Sequence, residues 1–334
     1  MKEKQKNKIV YIGNFKRWWS TETYIAKSFE DLGWKVKRIQ EDEFKPEDAI
    51  KECEDAKFLL WTRTWVEKIH LVEEVLSKIK IPSVSLHLDL YFGLDREKEL
   101  KLPFWKCDYV FTADGGHQEE FKKLGINHYF LSPGVYKKDC YFGKKDKKWK
   151  GKDIVFLGSY YYHPEWQYRK ILIEWLHKTY KDRFVLVGAD QVYFIKGRCW
   201  GKDKNNLFAS IPIVMGDSLY SPNYWSDRLS ESCGRGAFLI FPCIEGIEDE
   251  GYRYYKDFIP YNYGDFKTLK EIIDYYLIHP KEREEIRNSG MAFVKKYHTW
   301  ENKIQYVLSV LEKNNWSKNP KYKYEDCLRP RIKR

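Results

Sequence analysis

At 334 residues the chain is long for one ordinary domain, and two domains of roughly 150 residues fit it better. Hydrophobic residues make up 43% of it, enough for packed cores and too many for a disordered chain. The formal charge of +11 favours polyanionic partners such as nucleic acid, although part of it lies in short solvated runs at 144–152 and 329–334. No apolar stretch approaches the roughly 18 residues of a membrane span, and the polar start at 1–8 has no signal-peptide core. The seven Cys are scattered, without a CxxC pair or a His partner at zinc spacing, which fits free thiols in a reducing cytoplasm. The 26 Tyr and 13 Trp supply flat faces with polar tips, suited to sugar rings and to nucleobases.

Strand and helix alternate along the first half. Apolar runs at 9–12, 35–39, 58–61, 83–88, 109–112 and 128–131 predict strands. Between them, helical patterns run over 21–32 (stopping at Gly33), 46–54, 65–78 and 117–124 (closed by Gly125). The alternation restarts after the lysine-rich stretch 144–152. Strands are expected at 153–158, 184–187, 211–215, 237–241 and 257–260, with helices at 167–179, 227–233, 269–277, 282–289 and 301–311. Short β-rich runs separated by amphipathic helices mean parallel sheets with covered faces. The expected organisation is a first Rossmann-like domain at 1–143, a basic linker at 144–152, a second such domain at 153–316 and a basic tail at 317–334. Ligands of such folds bind at the carboxyl ends of the strands, here across a cleft between the two sheets.

The stretch from Tyr224 to Pro242 carries the most chemistry. A polar loop containing Ser226 leads into a short helix that stops at Gly234, and an apolar strand follows. Arg228 and Glu231 are three apart and share a helix face. Arg can clamp a diphosphate with paired donors, a carboxylate can accept ribose hydroxyls, and a helix start favours anions. An ordinary Arg–Glu pair on a solvated face would read the same way.

With Ile259-Pro-Tyr, His279-Pro, the Glu282–Arg287 run, Gly290 and His298-Thr-Trp, this stretch resembles the carboxyl domain of GT-B-type glycosyltransferases. The nearest likeness is to the spore-coat-maturation-like group met in phage and environmental sequences. The resemblance implies a GT-B fold of two Rossmann-like α/β domains whose parallel sheets face across a cleft. It implies a nucleotide-sugar co-substrate, UDP-glucose or a similar UDP-hexose, with no other cofactor. On this pattern Glu231 holds the donor ribose and Arg228 approaches the phosphates. Gly158 and Ser159, at the end of the first strand of that half, and Arg169, early in the next helix, make further donor contacts. One departure stands out: many retaining members carry a Glu eight positions before the ribose carboxylate, where this chain has Asn223. No strong Asp-x-Asp motif sits at a strand end, so metal-independent transfer is expected, and a dehydrogenase is disfavoured because GxGxxG is missing after Ile12 and Leu157.

In the first half, the loop from Gly13 to Glu22 follows the opening strand. Similar enzymes place acceptor and donor contacts there, which assigns Gly13, Lys16, Arg17, Trp18, Trp19, Ser20 and Glu22 to the cleft. Ser20 and Thr21 before Glu22 also suit a helix N-cap. His87 and Asp89 close the strand 83–88, are two apart and can face one side, so either is placed to take the acceptor proton. A core His satisfied by its neighbour is the alternative for His87. Asp114, at the next strand end, is a second candidate base. The charge and the aromatic loops, Trp18-Trp19 beside Lys16-Arg17 and Tyr160 to Tyr162 beside His163, favour double-stranded DNA carrying a hydroxymethylated pyrimidine as acceptor. A glycan acceptor, a non-catalytic sugar- or nucleic-acid-binding module and a nucleotide-sugar epimerase are the rivals. If phage-encoded, the protein would act in the host cytoplasm.

Overall fold

A computed structural model of the chain describes residues 7–63, 69–161, 166–188, 199–323, 325 and 332. It divides into two compact units, Met1–Tyr136 with Trp300–Pro330, and Lys137–Thr299 with Arg331–Arg334.

In chain order the first unit contains β1 (Lys8–Gly13), α1 (Thr21–Asp31), β2 (Lys35–Gln40), α2 (Pro46–Cys53), β3 (Phe58–Thr62) and α3 (Ile69–Lys78). It continues with β4 (Ser83–His87), α4 (Gly93–Glu99), β5 (Tyr109–Thr112), α5 (Gln118–Lys123) and β6 (His128–Phe130). The strands form one parallel sheet in the order β2-β1-β3-β4-β5-β6. Residues 9–12 of β1 are apolar because both of its faces are covered. Ile9 and Tyr11 join a core with Phe29 of α1, while Val10 and Ile12 pack with Val72 and Val75 of α3 on the opposite face. The expected helix 65–78 is seen from Ile69, its first four residues lying outside the described ones, as do Tyr162, His163 and most of the tail beyond 323. Helix α4 falls where a loop was expected.

The second unit contains β7 (Ile154–Leu157), α6 (Tyr168–Tyr180), β8 (Phe184–Val187), α7 (Lys202–Ser210), β9 (Ile213–Met215) and α8 (Arg228–Gly234). Then come β10 (Leu239–Pro242), β11 (Ile259–Tyr261), α9 (Phe266–Ile278) and α10 (Pro280–Tyr297). Its sheet is also parallel, in the order β11-β10-β9-β7-β8. Ile154, Phe156, Met215 and Ile240 pack against Leu172 and Ile173 of α6 and Leu269 and Ile273 of α9. The Asp265 carboxylate caps α9 by accepting from the Thr268 N–H at 3.0 Å.

Two expected boundaries are corrected. The basic stretch 144–152 is no linker, because it is fastened to α7. Asn205 donates to the carbonyls of Asp139 and Tyr141 at 2.8 and 2.7 Å, the Asp146 N–H donates to Ser210 Oγ at 2.8 Å, and Trp149 is buried. The last helix, α11 (Trp300–Lys313), belongs to the first unit, although the second domain was expected to reach residue 316. Ile304, Val307, Val310 and Leu311 of α11 fill the same core as Ile9, Phe29 and Phe58. The buried Lys303 ammonium donates to Ser132 Oγ at 2.6 Å, and the Trp300 N–H donates to the Val135 carbonyl at 2.9 Å. Leu311→Ala should therefore destabilise the first unit by about 2–5 kcal/mol, measurable as a lower urea midpoint. An unchanged midpoint would separate α11 from that core.

Candidate active site

In the second unit β7 and β8 each end at a glycine, Gly158 and Gly188. Their backbones approach so closely that a methyl group on Gly188 would strike the Gly158 carbonyl, and one on Gly158 would strike the Arg228 guanidinium. Beside this paired turn, at the carboxyl ends of β7, β8 and β9, lies a cavity of about 200 Å³. Its apolar wall includes Val187, Trp200, Phe208 and Met215, and its polar groups include Lys204, Arg228 and Glu231.

Glu231 is held from behind. Its Oε2 accepts from Arg235 Nε at 2.8 Å and from Lys204 Nζ at 3.2 Å, while the side chain keeps 14% of its surface exposed. Arg235 has no exposed side-chain surface and also donates to Asp139 Oδ2 at 2.5 Å, Asn205 Oδ1 at 2.8 Å and the Gly201 carbonyl at 3.2 Å. Burial alone would raise the Glu231 carboxyl, but the charges and hydrogen bonds of Arg235 and Lys204 outweigh it and hold the group at about 2. The cavity therefore presents a permanent carboxylate.

Arg228 lies over the Phe156 ring at 5.4 Å, donates from Nε to the Leu157 carbonyl at 3.3 Å, and stands 3.8 Å from Asp217 Oδ1. Gly158 and Ser159 line the cavity beside it. The expected phosphate contact from Arg169 is corrected: the residue is buried, and its Nε donates to the fully buried Asp217 at 2.9 Å. With its charge matched there and its Nη1 3.3 Å from Ser159 Oγ, it braces the turn. Ser226 and Asn223 also fall outside the cavity lining. Ser226 ties its loop to the end of β9, its Oγ donating to the Asp217 carbonyl at 2.9 Å and its N–H to Ser218 Oγ at 3.0 Å. Asn223 takes a left-handed turn (φ 53°), a conformation Asn tolerates well, and packs against Gly246.

In the first unit Ser20 caps α1, accepting from the Thr23 N–H at 3.1 Å and donating to the Asn14 carbonyl at 2.7 Å. Glu22 turns inward against Gly13, whose missing side chain leaves room for the Glu22 methylenes. Only 8% of Glu22 is exposed. Burial pushes its carboxyl up to about 7, with the charges of Glu41 and Asp89 adding to the rise against hydrogen bonds from its own backbone and Ser20. Asp89, half-buried just beyond β4, is thus close enough to Glu22 for its charge to be felt there. On the loop before α1, Lys16 pairs with Asp42 and Glu43, Arg17 lies over the Trp19 ring at 5.1 Å, and Trp18 is 59% exposed.

Two of the expected bases are displaced. His87 is fully buried, stacked on Trp105 with centroids 3.9 Å apart, and its Nε2 lies 3.2 Å from Ser85 Oγ. Burial, with the charges of Arg63 and His128, holds its pKa well below the ordinary value, so it is a neutral core residue. Asp114 is buried between Arg96 and His117, accepting from each at 2.7 Å. Burial would raise its pKa, but the His117 hydrogen bond and the Arg96 charge outweigh this and lower it, which weakens it as a base.

Lys204, Arg235, Asn205 and Asp217 escaped the sequence reading. Helix α7 was not anticipated, so Lys204 and Asn205 had no place. Arg235, four residues after Glu231 inside Gly-Arg-Gly, offered the one legible signal.

The second unit and the start of α11 match a family model described as glycosyl transferase-like over residues 169–309. No curated protein matches the chain. Among solved structures, an alpha-glucosyltransferase in complex with UDP-glucose and DNA containing an abasic site superposes with a TM-score of 0.69 at 11% identity, covering 92% of this chain and 99% of that one. The Anabaena protein HepE, in complex with UDP and glucose, gives 0.65 at 11% identity, covering 92% and 100%. Sucrose-phosphate synthase from Thermosynechococcus elongatus gives 0.66 at 10% identity, covering 92% and 99%. The fold is therefore GT-B, two Rossmann-like α/β domains with parallel sheets, and its second domain carries the glycosyl transferase-like segment. Among the described residues no helix is long and apolar enough to cross a membrane.

The Glu22 environment has a measurable consequence. Between its ordinary value of 4.5 and about 7, the folded protein holds a proton that the unfolded chain has lost. Stability should therefore fall as pH rises through that window. Glu22→Gln should raise the melting temperature at about pH 8 and change it little at about pH 4. An equal shift at both pH values would show that Glu22 ionises normally.

Proposed function

We propose that the protein is a glycosyltransferase that moves a hexose from a UDP-sugar to the hydroxyl of a hydroxymethylated pyrimidine in double-stranded DNA. The observation that carries the donor half is the permanently ionised Glu231 in the cavity at the strand ends. A carboxylate there suits ribose hydroxyls, and the apolar wall with Trp200 suits a base. Arg228 beside the Gly158–Ser159 turn suits the diphosphate. It would offset the charge that builds on UDP as the sugar C–O bond breaks. With Lys204 also at the cavity, we assign the charge stabilisation to side chains and propose transfer without a metal.

The acceptor hydroxyl must lose its proton as its oxygen bonds to the sugar carbon. We assign that proton to the Asp89 carboxylate, with Glu22 beside it at the acceptor end. Asp89→Asn should lower kcat by roughly 100-fold or more while donor binding persists. Glu231→Ala should instead weaken donor binding, at a cost of about 1.5–3 kcal/mol for a lost charge-assisted bond. Unchanged donor affinity by calorimetry would remove Glu231 from the site.

The DNA reading is supported by the charge of +11, by the exposed Trp18 beside Lys16 and Arg17, and by the likeness to the DNA-bound alpha-glucosyltransferase. Transfer to hydroxymethylated DNA should proceed in the presence of a chelator. DNA affinity should fall steeply between about 50 and 200 mM salt. Failure with every common nucleotide sugar at low salt, together with salt-independent transfer to a neutral glycan, would make the acceptor a polysaccharide. The exposed aromatic faces also fit that acceptor. Donor hydrolysis at background level would favour a non-catalytic module, and epimerised donor formed without acceptor would favour an epimerase.

A further inference from the structure

Glu231 is usefully considered lone pair by lone pair. A carboxylate offers about four acceptor positions, two on each oxygen. Arg235 Nε and Lys204 Nζ both donate to Oε2 and fill its two positions. Among the described residues Oε1 accepts no hydrogen bond, and Glu231 lines the cavity. Two acceptor positions on one oxygen match the two hydroxyls of a ribose cis-diol.

Arg235 is not among the cavity-lining residues, so it acts through Glu231. Its other donors go to Asp139, Asn205 and the Gly201 carbonyl, which fixes the guanidinium from two further segments. Lys204 approaches the same oxygen from α7, the helix that also carries Asn205. Arg235 cannot shift to Oε1 without abandoning these bonds.

We propose that Arg235 is a positioning residue which, with Lys204, saturates one oxygen of Glu231 and turns the other into a cis-diol reader. The site then selects ribonucleoside diphosphate sugars against their deoxyribose counterparts. The inference rests on the donor reading given above. It adds a specificity rule, and it assigns that rule partly to a residue the donor never touches.

Calorimetry with UDP, 2′-deoxy-UDP and 3′-deoxy-UDP tests it on the full-length protein and two variants. The unaltered protein should prefer UDP over either deoxy form by about tenfold or more, the effect of losing one hydrogen bond to a charged group. Arg235→Lys keeps the charge but cannot span Glu231, Asp139 and Asn205 together, and Lys204→Met removes the second donor at a partly exposed position. In each folded variant, checked by cooperative thermal unfolding, the preference should shrink by at least about threefold. A general loss of stability would weaken all three ligands alike and leave the ratio intact. UDP bound by the unaltered protein with no preference over the deoxy forms overturns the ribose reading itself. If the unaltered protein discriminates and Lys204→Met keeps its ratio, the saturated-oxygen inference is overturned, whether or not Arg235→Lys folds.

Discussion

A guanidinium with no exposed surface persists in a folded protein only if its charge is matched and its donors are engaged, because stranding it in the interior costs several kcal/mol. Arg235 meets this condition by drawing three pieces of the second unit around itself: Asp139 before the first strand, Gly201 and Asn205 around the start of α7, and Glu231 on α8. Much else follows from that constraint. The stretch beyond Tyr136 is pinned to α7, α7 is pinned to α8, and the Glu231 side of the cavity is fixed in place. Removing Glu231 or Asp139 would leave the buried charge short of a counter-ion, and removing Asn205 would leave a buried donor unsatisfied.

The opposite side of the cavity follows a different rule, that of close backbone approach. Gly158 and Gly188 let two strand ends meet without side chains, and Arg228 lies over the resulting turn. Behind it, Asp217 holds Arg169 and stands near Arg228, with the Phe156 ring beneath both guanidinium groups. Of these two arginines, one faces the cavity and the other supports the turn. Chain position alone does not distinguish them.

The first unit also matches a buried guanidinium, Arg96, which donates to Asp114 and Glu120. Near its carboxyl strand ends, burial first and then the charges of Glu41 and Asp89 raise the proton affinity of Glu22. A permanently charged group suits holding a ligand, and a group that ionises near neutrality suits exchanging a proton. Glu231 and Glu22 thus carry opposite electrostatic solutions. This contrast supports assigning donor binding to one unit and acceptor activation to the other.

Some of this was determined by the sequence alone. Apolar runs of four to six residues alternating with amphipathic helices dictate parallel sheets covered on both faces, because only buried strands can be apolar on both sides. That Arg228 and Glu231 share one face, and so line one cavity, was legible because helical spacing is local. Other features depended on contacts between residues distant in the chain. The apolar face of α11 shows that it packs on a sheet but not on which one, and only the core around Phe29 and Phe58 decides it. His87 and Asp114 look like bases at strand ends until Trp105 and Arg96, each 18 residues away, bury the one and pair the other. Arg169 reads as a phosphate ligand until Asp217, 48 residues away, takes its charge. Whether a charged side chain meets solvent, a ligand or a counter-ion is set by desolvation and by partners brought together in space, and local sequence records neither.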